Sequence, residues 1–248
     1  MSEKQDYIIR FCDVYKQFEN NQVLTGFNLD IIRGETLVIM GRSGCGKSVT
    51  LKIILGLLHP DSGQVFIDGV ETTELSEREL VPLRKKMGML FQGSALFDSL
   101  TVGDNVGFAL FEHSGKSYDE IEQIINTNLE FVDLAGTAGL MPAELSGGMR
   151  KRVALARAIA YNPYILLYDE PTTGLDPITA TTINELVRKT QKEYGVTSIV
   201  VTHELESGFS VADRIAVIND GKIIEIGTID QVKNSSNEFV QRFLAGPK

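Results

Sequence analysis

Eight residues constrain this chain more than any others. Gly41-Arg42-Ser43-Gly44-Cys45-Gly46-Lys47-Ser48 satisfies G-x-x-x-x-G-K-[ST]. Before it stands Thr36-Leu37-Val38-Ile39-Met40, a continuous apolar run that suits a strand covered on both faces. After it, Leu51, Ile54, Leu55 and Leu58 recur at i, i+3, i+4 and i+7, which predicts a helix with one buried face. A strand, a glycine-rich turn and a helix in that order form a cradle for phosphate. Glycines let the loop turn tightly and bring backbone N–H groups onto phosphate oxygens. The helix N-terminus adds its partial positive charge, with Val49 in the first turn. Lys47 has the reach for the β- and γ-phosphates of ATP, and the Ser48 hydroxyl suits Mg²⁺.

A second apolar strand, Ile165-Leu166-Leu167-Tyr168, ends in Asp169-Glu170. Strand alternation sends neighbouring side chains to opposite faces, so the two carboxylates are expected to take different roles. Asp169 suits the Mg²⁺ ion, directly or through water. Glu170 is then free to orient and partly deprotonate a water for attack on the γ-phosphorus. His203 closes the strand Ser198 to Thr202, where α/β sheets present ligand-binding groups, and is assigned to the γ-phosphate and the water. Gln92, just past the strand Met87 to Phe91, carries an amide able to sense both Mg²⁺ and water. Cys45 lies inside the cradle; a thiol at a helix N-terminus can have a lowered pKa, but a small residue filling its place is the favoured reading.

The rest of the chain is organised around these strands. Phe27, Leu29 and Ile31 alternate with polar residues, as in a half-exposed antiparallel strand. From about Ser94 to Ala143 the pattern is mostly helical, with a capping box at Ser117 and Glu120 ahead of Ile121, Ile124, Ile125 and Leu129. That block reads as a helical insertion in an α/β core. Another helix starts at Asp176-Pro177, and Asn219-Asp220-Gly221 reads as a hairpin turn. Phe239, Phe243 and Leu244 mark a short amphipathic helix near the end. The net charge of −9 argues against nucleic acid as a partner, because phosphate-backbone binding needs a clustered basic surface. Two cysteines give no disulfide framework and suit a reducing compartment. The start, Met1 to Asp6, lacks the basic and apolar pattern of a signal peptide, and the apolar runs are too short to span a bilayer.

Leu145-Ser146-Gly147-Gly148-Met149 lies about twenty residues before Asp169-Glu170. With the cradle, Gln92, Gly174-Leu175-Asp176 and His203 in this order, the chain resembles the ATP-binding cassette ATPases from about residue 7 to residue 245. The resemblance implies an α/β fold: a P-loop NTPase core of mixed sheet and flanking helices, an N-terminal antiparallel β-subdomain and a helical insertion. One domain, 7–245, would divide into a core (7–92 and 162–230), an insertion (about 94–161) and a short C-terminal helix (236–245). Leu145 to Met149 would be the signature motif, Gly174 to Asp176 the D-loop, Gln92 the Q-loop and His203 the switch. Ser146 and the Gly147–Gly148 amides, ahead of a helix read over Val153 to Tyr161, form another anion-binding terminus. In this family that terminus faces the nucleotide of a second copy, so Ser146, Gly147, Gly148 and Asp176 would act in trans within a head-to-tail dimer. Adenine would stack on Phe18, with Tyr15 the competitor.

The family's usual signature ends in Gln, and Met149 removes that amide; Arg150-Lys151-Arg152 beside it reads as a solvated helix face. A narrower similarity, to the ATPase subunits of Mla-type phospholipid transporters, rests on Gln92 to Val102, Asp104-Asn105-Val106, Leu140 to Glu144 and the Met-ended signature. It implies an integral membrane permease and an MCE-domain protein as partners, at the cytoplasmic side of the inner membrane. Leu96, Phe97, Leu100 and Val106 either line the permease groove or form the insertion's own core. Amino-acid, metal-chelate and lipoprotein systems are the alternatives. A soluble cassette acting on chromosomes or ribosomes, and a P-loop kinase, are the rivals from other classes; the kinase leaves Leu145 to Met149 without a purpose.

Overall fold

In the computed structural model, which describes residues 6–19 and 21–246, every residue of β3 (Thr36–Met40) is buried. Its side chains divide strictly by parity. Leu37 and Ile39 enter one apolar cluster, and Val38 and Met40 enter the other. β7 (Ile165–Asp169) does the same, with Ile165 and Leu167 on one side and Leu166 and Tyr168 on the other. A strand covered on both faces has no reason to alternate apolar with polar, which explains the unbroken hydrophobic runs.

The main sheet has six strands. β3 lies inside it, between β9 (Arg214–Asn219) and β8 (Thr197–Thr202), followed by β7 and the edge strand β6 (Met87–Leu90); β10 (Lys222–Gly227) closes the other edge. All pairs are parallel except β9 with β10, the hairpin at Asn219-Asp220-Gly221. A second, antiparallel sheet runs β2-β1-β4-β5, from β1 (Tyr7–Phe18), β2 (Asn21–Ile32), β4 (Ser62–Ile67) and β5 (Val70–Glu71). Phe27, Leu29 and Ile31 of β2 all point into the core shared with β3 and with α1 (Lys47–Ile54). This is the mixed α/β core with an antiparallel N-terminal sheet that the motifs implied.

Between β6 and β7 the chain forms α3 (Val102–His113), α4 (Tyr118–Phe131), a short 3-10 turn (Pro142–Glu144) and α5 (Gly147–Ile159). Ser117 and Glu120 make the expected reciprocal cap of α4. The chain continues through α6 (Pro177–Tyr194), capped by Asp176, then α7 (Leu205–Val211), α8 (Ile229–Lys233) and α9 (Glu238–Ala245). α2 (Glu77–Arg84) precedes β6. No helix among the described residues is long and apolar enough to cross a membrane. The N-terminal stretch Met1 to Gln5 lies outside the described residues.

Several expectations are corrected. α1 ends at Ile54 with Leu55 as its C-cap, so Leu58 falls beyond it; Gly56, at φ 64°, turns the chain away. The helix read from Val153 begins six residues earlier, at Gly147, because the Ser146 hydroxyl accepts from the Met149 N–H and caps it. Val106 is 1% exposed and fills the core of the insertion, whereas Leu96 is half-buried against that core. Phe97 is exposed.

Candidate nucleotide site

Parallel strands bring their carboxyl ends to one edge, and three neighbours, β3, β8 and β7, deliver the cradle, His203 and Asp169-Glu170 there. α1 starts at Lys47 after Gly46, whose φ of 110° excludes a side chain without strain. No side chain caps α1, so its leading N–H groups are available to an anion. Lys47 is 6% exposed; its Nζ donates to the carbonyls of Gly41 (2.9 Å) and Arg42 (3.1 Å) and stands 3.7 Å from Glu170 Oε1. The adjacent Ser48 Oγ donates to Asp169 Oδ1 at 2.8 Å.

Asp169 and Glu170 therefore meet consecutive cradle residues, rather than being split to opposite faces by strand alternation. Asp169 is the last residue of β7, whereas Glu170 lies beyond it at φ 49°, in the left-handed region. Such a conformation costs about 1–3 kcal/mol for a non-glycine residue and persists only when its surroundings hold it. Here the Glu170 N–H donates to the Val201 carbonyl of β8 at 2.9 Å. Its Oε2 accepts from Thr173 Oγ1 (3.1 Å) and pairs with His203 Nδ1 (2.8 Å). A carboxylate can only accept, so Nδ1 carries the hydrogen and Nε2 is the ring nitrogen free of that bond. Oε1 keeps lone-pair capacity beside the Lys47 ammonium.

A hydroxyl and a carboxylate oxygen at 2.8 Å suit a hard cation such as Mg²⁺. Among the described residues no cluster of three or more His, Cys, Asp or Glu could hold a metal alone. A cation between Ser48 and Asp169 would thus complete its shell from phosphate and water, as Mg²⁺ commonly does. Gln92 follows β6 with its side chain exposed. Phe18 and Tyr15 are both exposed on β1, Phe18 with the Lys16 ammonium 5.5 Å from its ring centre. Ser43 and Arg42 line a cavity of about 580 Å³ with His203, Phe239 and Arg242. The approach of α9 to the cradle carries no local sequence signal.

Two readings fail on burial. Lys151 is 4% exposed and not part of a solvated face; its neighbours Arg150 and Arg152 donate to the carbonyls of Leu145 and of Val132 and Asp133. Burial pushes the Cys45 thiol up, against the smaller opposing pull of Lys47, so the helix N-terminus does not lower it.

At the signature end, Ser146 and Gly147 are exposed and Gly148 is buried. A Cβ on Gly148 would lie 2.3 Å from Thr179 Cγ2 of α6, so this glycine is required by packing within the chain. Asp176 accepts from the Thr179 hydroxyl and from the N–H groups of Thr179 (3.0 Å) and Ile178 (3.1 Å), and these bonds, the hydroxyl's foremost, hold its carboxyl below the usual range.

A glycine-rich loop at a parallel sheet edge, an Asp-Glu strand end, a histidine at the next strand end and a second, Ser-capped helix terminus are the features that define the ATP-binding cassette class. The chain belongs to the ABC transporter family, whose model matches residues 24–173, and it is an ATPase of that family. It is 45% identical to the intermembrane phospholipid transport system ATP-binding protein MlaF of Haemophilus influenzae, over 90% of this chain and 85% of that one. It is also 45% identical to the methionine import ATP-binding protein MetN of Carboxydothermus hydrogenoformans, over 83% of this chain and 60% of that one. The dimeric ATP-binding cassette MJ0796, in a post-hydrolysis state bound to ADP and Pi, superposes with a TM-score of 0.82 at 36% identity, covering 89% of this chain and 98% of that one.

Proposed function

We propose that the chain hydrolyses ATP at a site shared between two copies, with Glu170 as the group that orients and deprotonates the attacking water. The observation that supports this most directly is the Glu170 carboxylate, held 2.8 Å from His203 and 3.7 Å from Lys47. Gly41 to Val49 would wrap the phosphates, with Lys47 compensating their charge. Ser48 and Asp169, joined by the Gln92 amide, would hold Mg²⁺, which supplies Lewis-acid stabilisation of the transferring phosphoryl group. His203 would position the water and the γ-phosphate, and Phe18, with Tyr15 the competing ring, would stack on adenine.

Ser146, Gly147, Gly148 and Asp176 would complete the partner's site. The exposure of Ser146 and Gly147 on a capped helix terminus supports that role, as does the dimeric state of MJ0796. An apolar cavity of about 500 Å³, lined by Val81, Phe91, Phe97, Ala109 and Tyr161, supports docking of an integral membrane permease between α2 and the insertion. Similarity to MlaF favours phospholipid as cargo; the Mla-type resemblance of Gln92 to Val102 and Leu140 to Glu144 supports an MCE-domain protein in the complex and a place at the cytoplasmic side of the inner membrane. The equal identity to MetN makes import of an amino acid such as methionine the second reading.

Replacing Glu170 by Gln keeps size and removes the base. Hydrolysis is expected to fall by ~100-fold or more while ATP-bound dimers accumulate on size-exclusion chromatography. Near-normal turnover in that variant would discredit the role of Glu170. Mass spectrometry of what detergent extracts with the chain separates the two cargo readings: an MCE-domain protein with bound lipid, or a permease without either.

A further inference from the structure

Lys151 occupies a core position of α5. Gly148, Lys151, Leu155 and Ile159 form one buried stripe, spaced i, i+3, i+7 and i+11. A leucine or methionine would fill that position; an ammonium there has lost most of its water and needs partners. It has two, both backbone carbonyls: Nζ donates to Gln92 at 2.5 Å and to Glu170 at 3.3 Å. Burial lowers the Lys151 pKa, and the carboxylates of Asp169, Glu170 and Glu204 oppose that and favour the charged form.

Those two carbonyls belong to the residues on which the proposed chemistry turns. The Glu170 backbone is held on both sides, its N–H by Val201 of β8 and its C=O by Lys151, which together keep it at φ 49°. Gln92 opens the segment that leaves β6 for the insertion, and the same helix grips that segment again one and a half turns on. Arg157 donates to the carbonyls of Ala95 (2.6 Å) and Ser94 (2.8 Å), both residues at positive φ. The helix that begins at the signature therefore carries Glu170 and Gln92 on one cation.

We propose that Lys151 is a positioning residue for hydrolysis, tying the backbone of Glu170 and of Gln92 to the signature helix so that the Glu170 carboxylate stays aimed at the cradle. This rests on the assignment of Glu170 as the base. Without the Lys151 bond the Glu170 carbonyl is free to turn, the residue relaxes toward negative φ, and its carboxylate leaves the His203–Lys47 pair. Nucleotide binding, made by the cradle, does not depend on that bond. The hydrolysis step does.

The test uses the full chain and measures kcat, ATP affinity with a fluorescent ATP analogue, and thermal melting for Lys151→Met, Lys151→Arg, Lys151→Gln and Glu170→Gln. Lys151→Met, unbranched and one atom shorter but without donors, is expected to lose ~20-fold or more in kcat with ATP affinity within ~3-fold of the parent. Lys151→Arg, which keeps charge and donors, is expected to recover to within ~3-fold in kcat. If Lys151→Met does not fold, Lys151→Gln takes its place, with an expected loss of ~5-fold or more in kcat at unchanged affinity. The inference is overturned by a folded Met variant at parental kcat, by kcat and affinity falling together, by no recovery in Lys151→Arg, or by failure of both Met and Gln variants to fold. Glu170→Gln separates the two levels. If it retains turnover, the base assignment itself is wrong; if it is inactive while Lys151→Met is normal, only the inference fails.

Discussion

The helix termini at Lys47 and Gly147 are built on opposite plans. At the cradle, each named side chain is answered from its own chain: Lys47 by Gly41, Arg42 and Glu170, Ser48 by Asp169, Glu170 by Thr173 and His203. At the signature, the Ser146 hydroxyl is used only to cap its own helix, and Ser146 and Gly147 face outward. Gly148 behind them is packed on α6. A terminus finished on its inner side and open on its outer side is what the proposed shared site requires. On the proposed shared site, the cradle can be damaged from within one copy, and the signature would matter only to the other.

Mixing two inactive variants breaks or sustains that distinction most forcefully. Lys47→Ala removes the cradle ammonium, and Ser146→Arg puts bulk and charge on the open terminus. Each alone is expected to retain under ~1% of parental turnover, since both sites of a symmetric pair are spoiled. In a mixed pair one site joins an intact Lys47 to an intact Ser146. Random equimolar pairing then restores about a quarter of the parental rate, because half the pairs are mixed and each has one good site. If hydrolysis is complete within one copy, mixing restores nothing, and the in-trans reading of Ser146 is lost.

The adjacent glycines sharpen the same contrast at smaller amplitude. Gly148→Ala places a Cβ 2.3 Å from Thr179 Cγ2, and the Thr179 hydroxyl is tied to Asp176 at 2.5 Å, which resists its rotation. Overpacking of this kind costs about 1–3 kcal/mol, so the melting temperature is expected to drop by about 2–4 °C for each kcal/mol. Gly147→Ala meets only Leu175 Cδ2 at 3.7 Å, an ordinary contact, and should melt no lower than the parent. Its turnover is nonetheless expected to fall about tenfold, because the added methyl stands on the face offered to a partner. A Gly147→Ala chain with parental turnover would mean that this face carries no nucleotide.

Local pattern made the cradle legible because strand, turn and helix are continuous in sequence, and the same holds for α4, for α6 behind Asp176-Pro177 and for the β9–β10 hairpin. It misled wherever burial is decided by distant elements. Lys151 between Arg150 and Arg152 resembles a solvated run, yet its register with Gly148, Leu155 and Ile159 places it on the buried stripe. That periodicity is readable before any fold is known, and it was outweighed by charge. Val106 has the apolar character of a docking residue but fills the insertion's core. The convergence of Asp169 and Glu170 on consecutive cradle residues comes from a left-handed residue after the strand, which period-two reasoning cannot see. Which element lies beside α9 has no local signature at all.

The smallest effect tests how closed the cradle side is. The Cys45 thiol packs against the core cluster next to α1, and burial pushes its pKa up. Only the thiolate reacts with iodoacetamide, so a raised pKa lowers the reactive fraction at any given pH. Labelling at pH 8 is therefore expected to be slower than for a small free thiol, and to keep climbing with pH where the free thiol has levelled off. Were the helix N-terminus to dominate, the sign would reverse and Cys45 would label faster than the free thiol at pH 7. ATP is expected to slow labelling further, since phosphate on the loop would cover the segment that carries Cys45. Equal rates with and without ATP would separate the thiol from the nucleotide and show that Gly41 to Ser48 does not close over its ligand at that residue.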